Sequence, residues 1–157
     1  VEAIGIATKA GEPLRSVERV EAIAGRGLAG DRYAADSGEF SDATAGQRDI
    51  TLIAAEALEA FSAEAGIELS HLESRRNVLV RGLDVNALVG RRFRLGGVEC
   101  IGRELSEPCA YLQGLTRPGV LAGLVHRGGL RAGISSGGML AVGDAVEPLD
   151  PWSAPPA

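Results

Sequence analysis

Apolar and polar positions alternate along this chain in many short runs, and glycine separates most of them. Ala3 to Thr8 is apolar and β-branched enough to predict a strand, closed by the turn residues Gly11-Glu12-Pro13. From about Ser16 to Ala24 the alternation is imperfect, which predicts a second strand partly covered on both sides and ended by Gly25, Gly27 and Gly30. Arg32 to Gln47 is polar and rich in Gly, Ser, Asp and Ala, a long loop of the kind that forms lids. Asp49 to Ile53 predicts a short strand, and Ala54 to Phe61 a helix with Leu58 and Phe61 on its buried side and Gly66 at its end.

Beyond the helix, Asn77 to Arg81 predicts another strand and Asp84 to Leu88 a short helical turn. Arg92 to Leu95 and Val98 to Ile101 flank Gly96-Gly97, a pair suited to a two-residue hairpin, and the second of these strands continues toward Glu107-Pro108-Cys109. Pro108 should stop it, leaving Cys109 at a strand end or a helix start. A helix is expected over Val120 to His126, broken by Gly128-Gly129. Arg131 to Ser135 and Met139 to Val146 then read as a final strand pair divided by Gly137-Gly138. The tail from Pro148, with four of the seven prolines, should be poorly ordered. Many short strands with a few interposed helices predict a mixed, β-rich fold of barrel type, as one domain over 1–149 with a proline-rich tail over 150–157.

Composition narrows the function. The 157 residues are 45% hydrophobic and 24% charged, ordinary for a globular domain. No apolar run approaches the roughly 20 residues that cross a bilayer, so no membrane partner is expected. A net charge of -5 argues against nucleic acid, whose phosphates call for an excess of Lys and Arg. Two cysteines outside any CxxC spacing are too few for a disulfide framework, and with no charged-then-apolar leader at the start they fit a reducing, cytoplasmic setting.

Cys109 is the sharpest chemical candidate, because only a thiolate serves as nucleophile, sulfur acceptor or soft-metal ligand. Free cysteine is also among the most buried residue types, so the residues alone favour the core for both thiols, and for mid-strand Cys100 above all. Arg32, Arg48, Arg75, Arg76, Arg127 and Arg131 form a cationic set beside glycines, suited to an anion if they converge and to surface pairing if they do not. His71 and His126 lack metal-ligand spacing and read as structural. Gly25-Arg26-Gly27-Leu28-Ala29-Gly30 matches GxGxxG but leads into a polar loop, so a dinucleotide fold is not expected.

Taken in order, Gly27-Leu28-Ala29-Gly30-Asp31-Arg32-Tyr33, Gln47 to Ile53, Arg75-Arg76-Asn77-Val78-Leu79-Val80, Gly82 to Gly90, Pro108-Cys109, and Arg127 to Ala132 running on to Val142-Gly143-Asp144 resemble the MOSC family. That family is named for the C-terminal domain of molybdenum-cofactor sulfurases. The resemblance implies a β-barrel with Cys109 at its functional centre. In relatives that reduce N-hydroxylated compounds this cysteine binds molybdenum beside the pterin dithiolene, and arginine and asparagine side chains hold the pterin phosphate. Carried over, Cys109 would be the catalytic residue and metal ligand of a molybdenum-pterin cofactor, Arg32, Arg48, Arg75, Arg76 and Asn77 its contacts, and Asp84 and Asn86 shapers of the pocket. Tyr33 stands where many short relatives have histidine. The chain has no ferredoxin-type cysteine cluster and no pyridoxal-phosphate domain, so the resemblance implies an electron-donor protein or a cysteine desulfurase as partner, with a small-molecule substrate. Three readings follow: a reductase of N-hydroxylated compounds, a sulfur carrier with a persulfide on Cys109, and a non-catalytic module that binds or delivers the cofactor.

Overall fold

The computed structural model describes residues 1–9, 11–32, 34, 49–108 and 110–150, the side chains of Ala110 and Tyr111 excepted. Its strands are β1 (Ala3–Ile6), β2 (Arg15–Val17), β3 (Arg19–Ile23), β4 (Gly27–Leu28), β5 (Ile50–Ala54), β6 (Val78–Val80), β7 (Arg92–Leu95), β8 (Val98–Leu105), β9 (Leu130–Ser136), β10 (Gly138–Ala141) and β11 (Val146–Pro148). The helices are α1 (Ala55–Ala65), α2 (His71–Ser74), α3 (Ala110–Leu115) and α4 (Val120–Gly123), with a 3₁₀ turn at Val85–Leu88. Eight strands form one sheet in the order β11-β7-β8-β9-β5-β6-β1-β2, and β10-β3-β4 form a second. Only β5 and β6 run parallel among the named pairs, with α1 and α2 carrying the chain between them.

The expectation of a mixed, β-rich fold is met, but among the described residues the ladders do not close into a barrel. The chain instead changes sheet at two corners. The strand expected from Ser16 to Ala24 breaks at Glu18: Val17 pairs with Ile4 of the large sheet, while Val20 pairs with Leu140 of the small one. Val17 and Val20 are three positions apart, which a period of two cannot place on one face, and the corner absorbs the change of phase. The second corner is Gly137, where a Cβ would lie 2.5 Å from Ala22 O. It corrects the expected final pair: β9 pairs with β8 and β5, β10 pairs with β3, and the run from Met139 to Val146 is cut at Gly143 (φ 98°), after which β11 pairs with β7.

Both sheets contribute to one core, with Val20, Leu28 and Leu140 of the small sheet joining Ile4, Leu52, Phe93 and Leu130 of the large one. Each such side chain contributes about 1.5–3 kcal/mol by leaving water. A second cluster of Ile53, Leu58, Phe61, Leu69, Leu112, Val120 and Leu124 seats α1, α3 and α4 on the sheet. Leu112 thereby anchors α3, the helix that opens immediately after Cys109.

Several elements differ from their expected bounds. Helix α1 runs four residues past Phe61 and ends where expected, with Gly66 in the left-handed region at φ 66°. The expected helix over Val120 to His126 stops at Gly123. Helix α2 was not anticipated, although Ser70 and Glu73 form a capping box, each side chain accepting from the other's backbone N–H. The tail is ordered further than expected: Pro148 lies in edge strand β11, where a missing N–H is tolerated. Asp150 then accepts hydrogen bonds from Arg92 N (2.9 Å), Nε (3.0 Å) and Nη2 (2.8 Å). Residues 151–157 of the tail lie outside the described residues, as does the expected lid from 35 through Gln47. No helix among the described residues is long and apolar enough to cross a membrane.

Candidate functional site

The segment Arg75-Arg76-Asn77 joins α2 to β6, and its three side chains diverge. Arg75 ends α2 in the left-handed conformation (φ 62°), an uncommon one for a residue with a Cβ, and this turns the chain sharply into the sheet. Its Nη1 donates to Glu12 O at 2.5 Å. Arg32 meets the same segment from the other side, its Nη2 donating to Arg75 O at 3.3 Å and its Nη1 pairing with Asp31 Oδ1 at 3.1 Å. Asp31 in turn accepts from Ala7 N at 2.9 Å. Arg32 and Arg75 are buried, and the guanidinium group of each is held by hydrogen bonds to the protein. Arg75 and Glu73 also edge a cleft of about 290 Å³ whose apolar walls include Leu14, Leu72 and Leu115.

Asn77 is fully buried and hydrogen-bonded within the sheet. Its Oδ1 accepts from Thr51 N and Oγ1, both at 3.1 Å, its Nδ2 donates to Gly5 O at 3.1 Å, and its own N donates to Thr51 Oγ1 at 2.9 Å. The side chain thus ties β5, β6 and β1 together.

Arg76 turns toward the residues that precede Cys109. Its Nε donates to Gly128 O at 2.7 Å and its Nη2 to Ser106 O at 3.0 Å. Ser106 N donates to Gly129 O at 2.7 Å, so the strap Ser106-Glu107-Pro108 lies flat against Gly128-Gly129. The fit requires glycine: a Cβ on Gly128 would stand 2.5 Å from Ser106 O and 3.1 Å from Pro108 Cδ. Ser106 and Pro108 are buried, and Ser106 Oγ has no hydrogen-bond partner among the described residues. The pair Gly128-Gly129, expected to break a helix, also lets the strap approach.

On the strap's outer side Glu107 Oε1 accepts from His126 N at 2.8 Å, and His126 O accepts from Asn86 Nδ2 at 2.7 Å. Asp84 caps the 3₁₀ turn, accepting from Asn86 N at 3.0 Å, and is exposed. Asn86 therefore joins the site through His126, while Asp84 bonds within the turn. Arg127 and Arg131 do not join the set: they pair with Glu64 (2.7 Å) and Glu104 (3.3 Å) at the surface. Cys109 and Arg48, and with them Tyr33, lie outside the described residues. Ser106, Glu107 and the role of His126 went unread in the sequence, where nearness to Pro108-Cys109 was the one signal for the first two.

Cys100 takes the core position expected of it. It is fully buried on β8, and burial first, with the Asp49 carboxylate second, pushes its thiol up to about 12. Since the thiolate is the nucleophile, iodoacetamide near neutral pH is expected to modify Cys100 only once the protein unfolds. Between the ordinary thiol value of about 8.5 and the raised one, the unfolded chain binds fewer protons than the folded one, so stability falls as pH rises through that window. Alkaline urea titrations should show that limb flattened in Cys100→Ala; an unchanged slope would contradict the assignment. His71 is structural, as expected: its Nε2 lies 2.8 Å from Arg76 O, and desolvation, opposed by backbone hydrogen bonds, lowers its pKa. Among the described residues no three His, Cys, Asp or Glu side chains gather as metal ligands.

The fold is shared with solved structures at low sequence identity. The YuaD protein of Bacillus subtilis superposes with a TM-score of 0.78 at 17% identity, over 93% of this chain and 92% of that one. The YiiM protein of Geobacillus stearothermophilus gives 0.72 at 12% identity, over 96% of this chain and 74% of its own. Escherichia coli YiiM gives 0.68 at 16% identity, over 98% and 73%. No curated protein matches in sequence. The family model described as the MOSC domain matches residues 29–147, a span that takes in the buried Arg32, the Arg75-Arg76-Asn77 segment, the strap and the glycine pair beneath it, and the chain belongs to the MOSC domain family.

Proposed function

We propose that this MOSC domain binds a molybdenum-pterin cofactor through Cys109 and reduces N-hydroxylated small molecules, with electrons from a separate donor protein. The observation that carries the reading is the burial of the other thiol: Cys100 is sealed in the core with its pKa pushed up, so of the two cysteines Cys109 is the one proposed as the soft ligand. The donor set suits such a cofactor, which brings dithiolene sulfurs of its own and asks the protein for one thiolate and a cationic surround. Cys109 would supply the first. Arg32 and Arg75, buried and held, support the second. Two sheets that share one core and exchange strands at two corners also support the barrel-like enclosure that the family implies.

When bound, the cofactor supplies the two-electron couple that reductive N–O cleavage requires. The overall change is R–NH–OH plus two electrons and two protons to R–NH2 and water. The chain's own part is to present one thiolate, to offset the anionic pterin phosphate with fixed guanidinium groups, and to hold the strap still by Arg76. Protein made in cofactor-producing cells should reduce 6-hydroxylaminopurine with an artificial reductant, and Cys109→Ser should abolish the turnover. If wild-type protein instead shows no turnover and gains one sulfur on Cys109 after incubation with a cysteine desulfurase, the sulfur-carrier reading replaces this one.

A further inference from the structure

The small sheet β10-β3-β4 gives one face to the core through Val20, Ala22, Leu28 and Leu140. Strand alternation puts Arg19, Glu21 and Ile23 of β3 on the opposite face, together with Met139 and Ala141 of β10. Arg19, Glu21 and Met139 are exposed, and Met139, at 48%, is the most exposed large hydrophobic side chain among the described residues. An antiparallel sheet commonly leaves one face in water, so exposure alone decides nothing. The arrangement of side chains on the face is more specific. The register sets Met139 level with Glu21 and Ala141 level with Arg19. One row across the two strands therefore carries a long apolar side chain and a carboxylate, and the next row on this face carries a methyl group and a guanidinium. Arg81, Arg92, Arg117, Arg127 and Arg131 are each paired with a carboxylate of their own chain. Arg19 and Glu21 share a face but form no ion pair among the described residues.

We propose that this face binds a second copy of the chain, forming a two-fold symmetric dimer in which Arg19 and Glu21 pair across the axis. In such a contact each patch must complement itself, residue i meeting j while j meets i. A two-fold axis lying between the facing sheets, across the strands at the level of Val20 and Leu140, carries each row onto the other. It sets Glu21 of each copy opposite Arg19 of the other, and Met139 of each opposite Ala141. Opposite charges then meet, and a large side chain meets a small one, from a single axis. Facing sheets pack about 10 Å apart, a gap that methionine and an arginine-carboxylate pair can fill, and both Met and Arg are favoured at interfaces. Edge-to-edge pairing is blunted at β10, where Ala141 N donates to Asp144 Oδ2 at 2.9 Å, so the face and not the edge is open to a second sheet. A patch on two strands is small, which places the dimer in the weak, reversible class that buries less than about 1,200 Å² in total. The inference goes beyond the cofactor reading and does not depend on Cys109.

The test is sedimentation velocity of the full chain over a concentration series reaching the millimolar range. Wild-type protein is expected to show a reversible monomer-dimer equilibrium. Arg19→Glu places carboxylates opposite one another at both symmetry-related contacts, and Glu21→Arg does the same with guanidinium groups. Each is expected to weaken association at least about tenfold. Mixed in equal amounts, the two variants bring only opposite charges together, so the mixture should regain wild-type association. That recovery also shows that both variants are folded, since the substituted side chains are exposed and the contact needs an intact sheet. Wild-type protein that stays monomeric at every concentration would overturn the proposal. So would a dimer that survives both single variants, or variants that remain monomeric when mixed.

Discussion

Asn77→Ala is expected to lower the stability of the protein by about 3 kcal/mol, or roughly 6–12 °C in melting temperature, in chain that has never held a cofactor. The substitution strips partners from Thr51 N, Thr51 Oγ1 and Gly5 O, which face the side chain in a site with no access to water. Buried donors and acceptors left without partners carry their full desolvation cost, and three of them span β5 and β1. A residue whose task was to hold the cofactor would behave otherwise, leaving the apo protein stable and weakening only the loaded form. Urea unfolding of the apo protein separates the two, and a change below about 1 kcal/mol would return Asn77 to the cofactor. Asn86→Ala makes a fair comparison, since Asn86 is only half-buried and its Nδ2 bond lies at the surface.

The second large effect is expected at Gly129. Its φ of 113° lies where residues with a Cβ are rarely found, and a Cβ there would collide with Leu52 O. Neither partner can give way cheaply. Leu52 is fully buried and hydrogen-bonded on both sides in β5, and Gly129 O receives Ser106 N. Backbone strain and overpacking together put Gly129→Ala at about 3–5 kcal/mol. Gly66 is the internal control. It too has positive φ, at 66°, but nothing lies within 4 Å of its added Cβ, so Gly66→Ala should cost about 1 kcal/mol. Equal losses at the two positions, by urea titration, would mean that the close approach of Gly129 to Leu52 O does not decide the cost.

What could be read from the sequence, and what could not, follows from the range of each interaction. The Gly96-Gly97 hairpin, the helix under Leu58 and Phe61, and the 3₁₀ turn capped by Asp84 are set by neighbours in the chain, and they appear where the pattern put them. The capping box of Ser70 and Glu73 is just as local and was there to be read. The corners at Glu18 and Gly137 were not, because they depend on partners across two sheets. The site divides in the same way. The order of motifs singled out Arg32, Arg75, Arg76 and Asn77, and in the fold the Arg32 guanidinium meets the Arg75 carbonyl while Arg75, Arg76 and Asn77 turn their side chains to different partners. Their tasks were illegible, since spacing does not say whether a guanidinium meets a ligand or a carbonyl. Arg76 meets Gly128 O and Ser106 O, and Asn77 meets Thr51 and Gly5. His126 reads as structural in the sequence, but its left-handed backbone conformation is something no side-chain motif announces.

Metal and pterin analysis of wild-type and Cys109→Ser protein, each purified from cofactor-producing cells, tests the central claim most directly. The account predicts molybdenum and pterin near one per chain in the wild type and loss of the metal in the variant, with the folded domain unchanged. Wild-type protein that is fully folded yet carries no molybdenum, or a variant that retains it, would contradict the assignment of Cys109 as ligand.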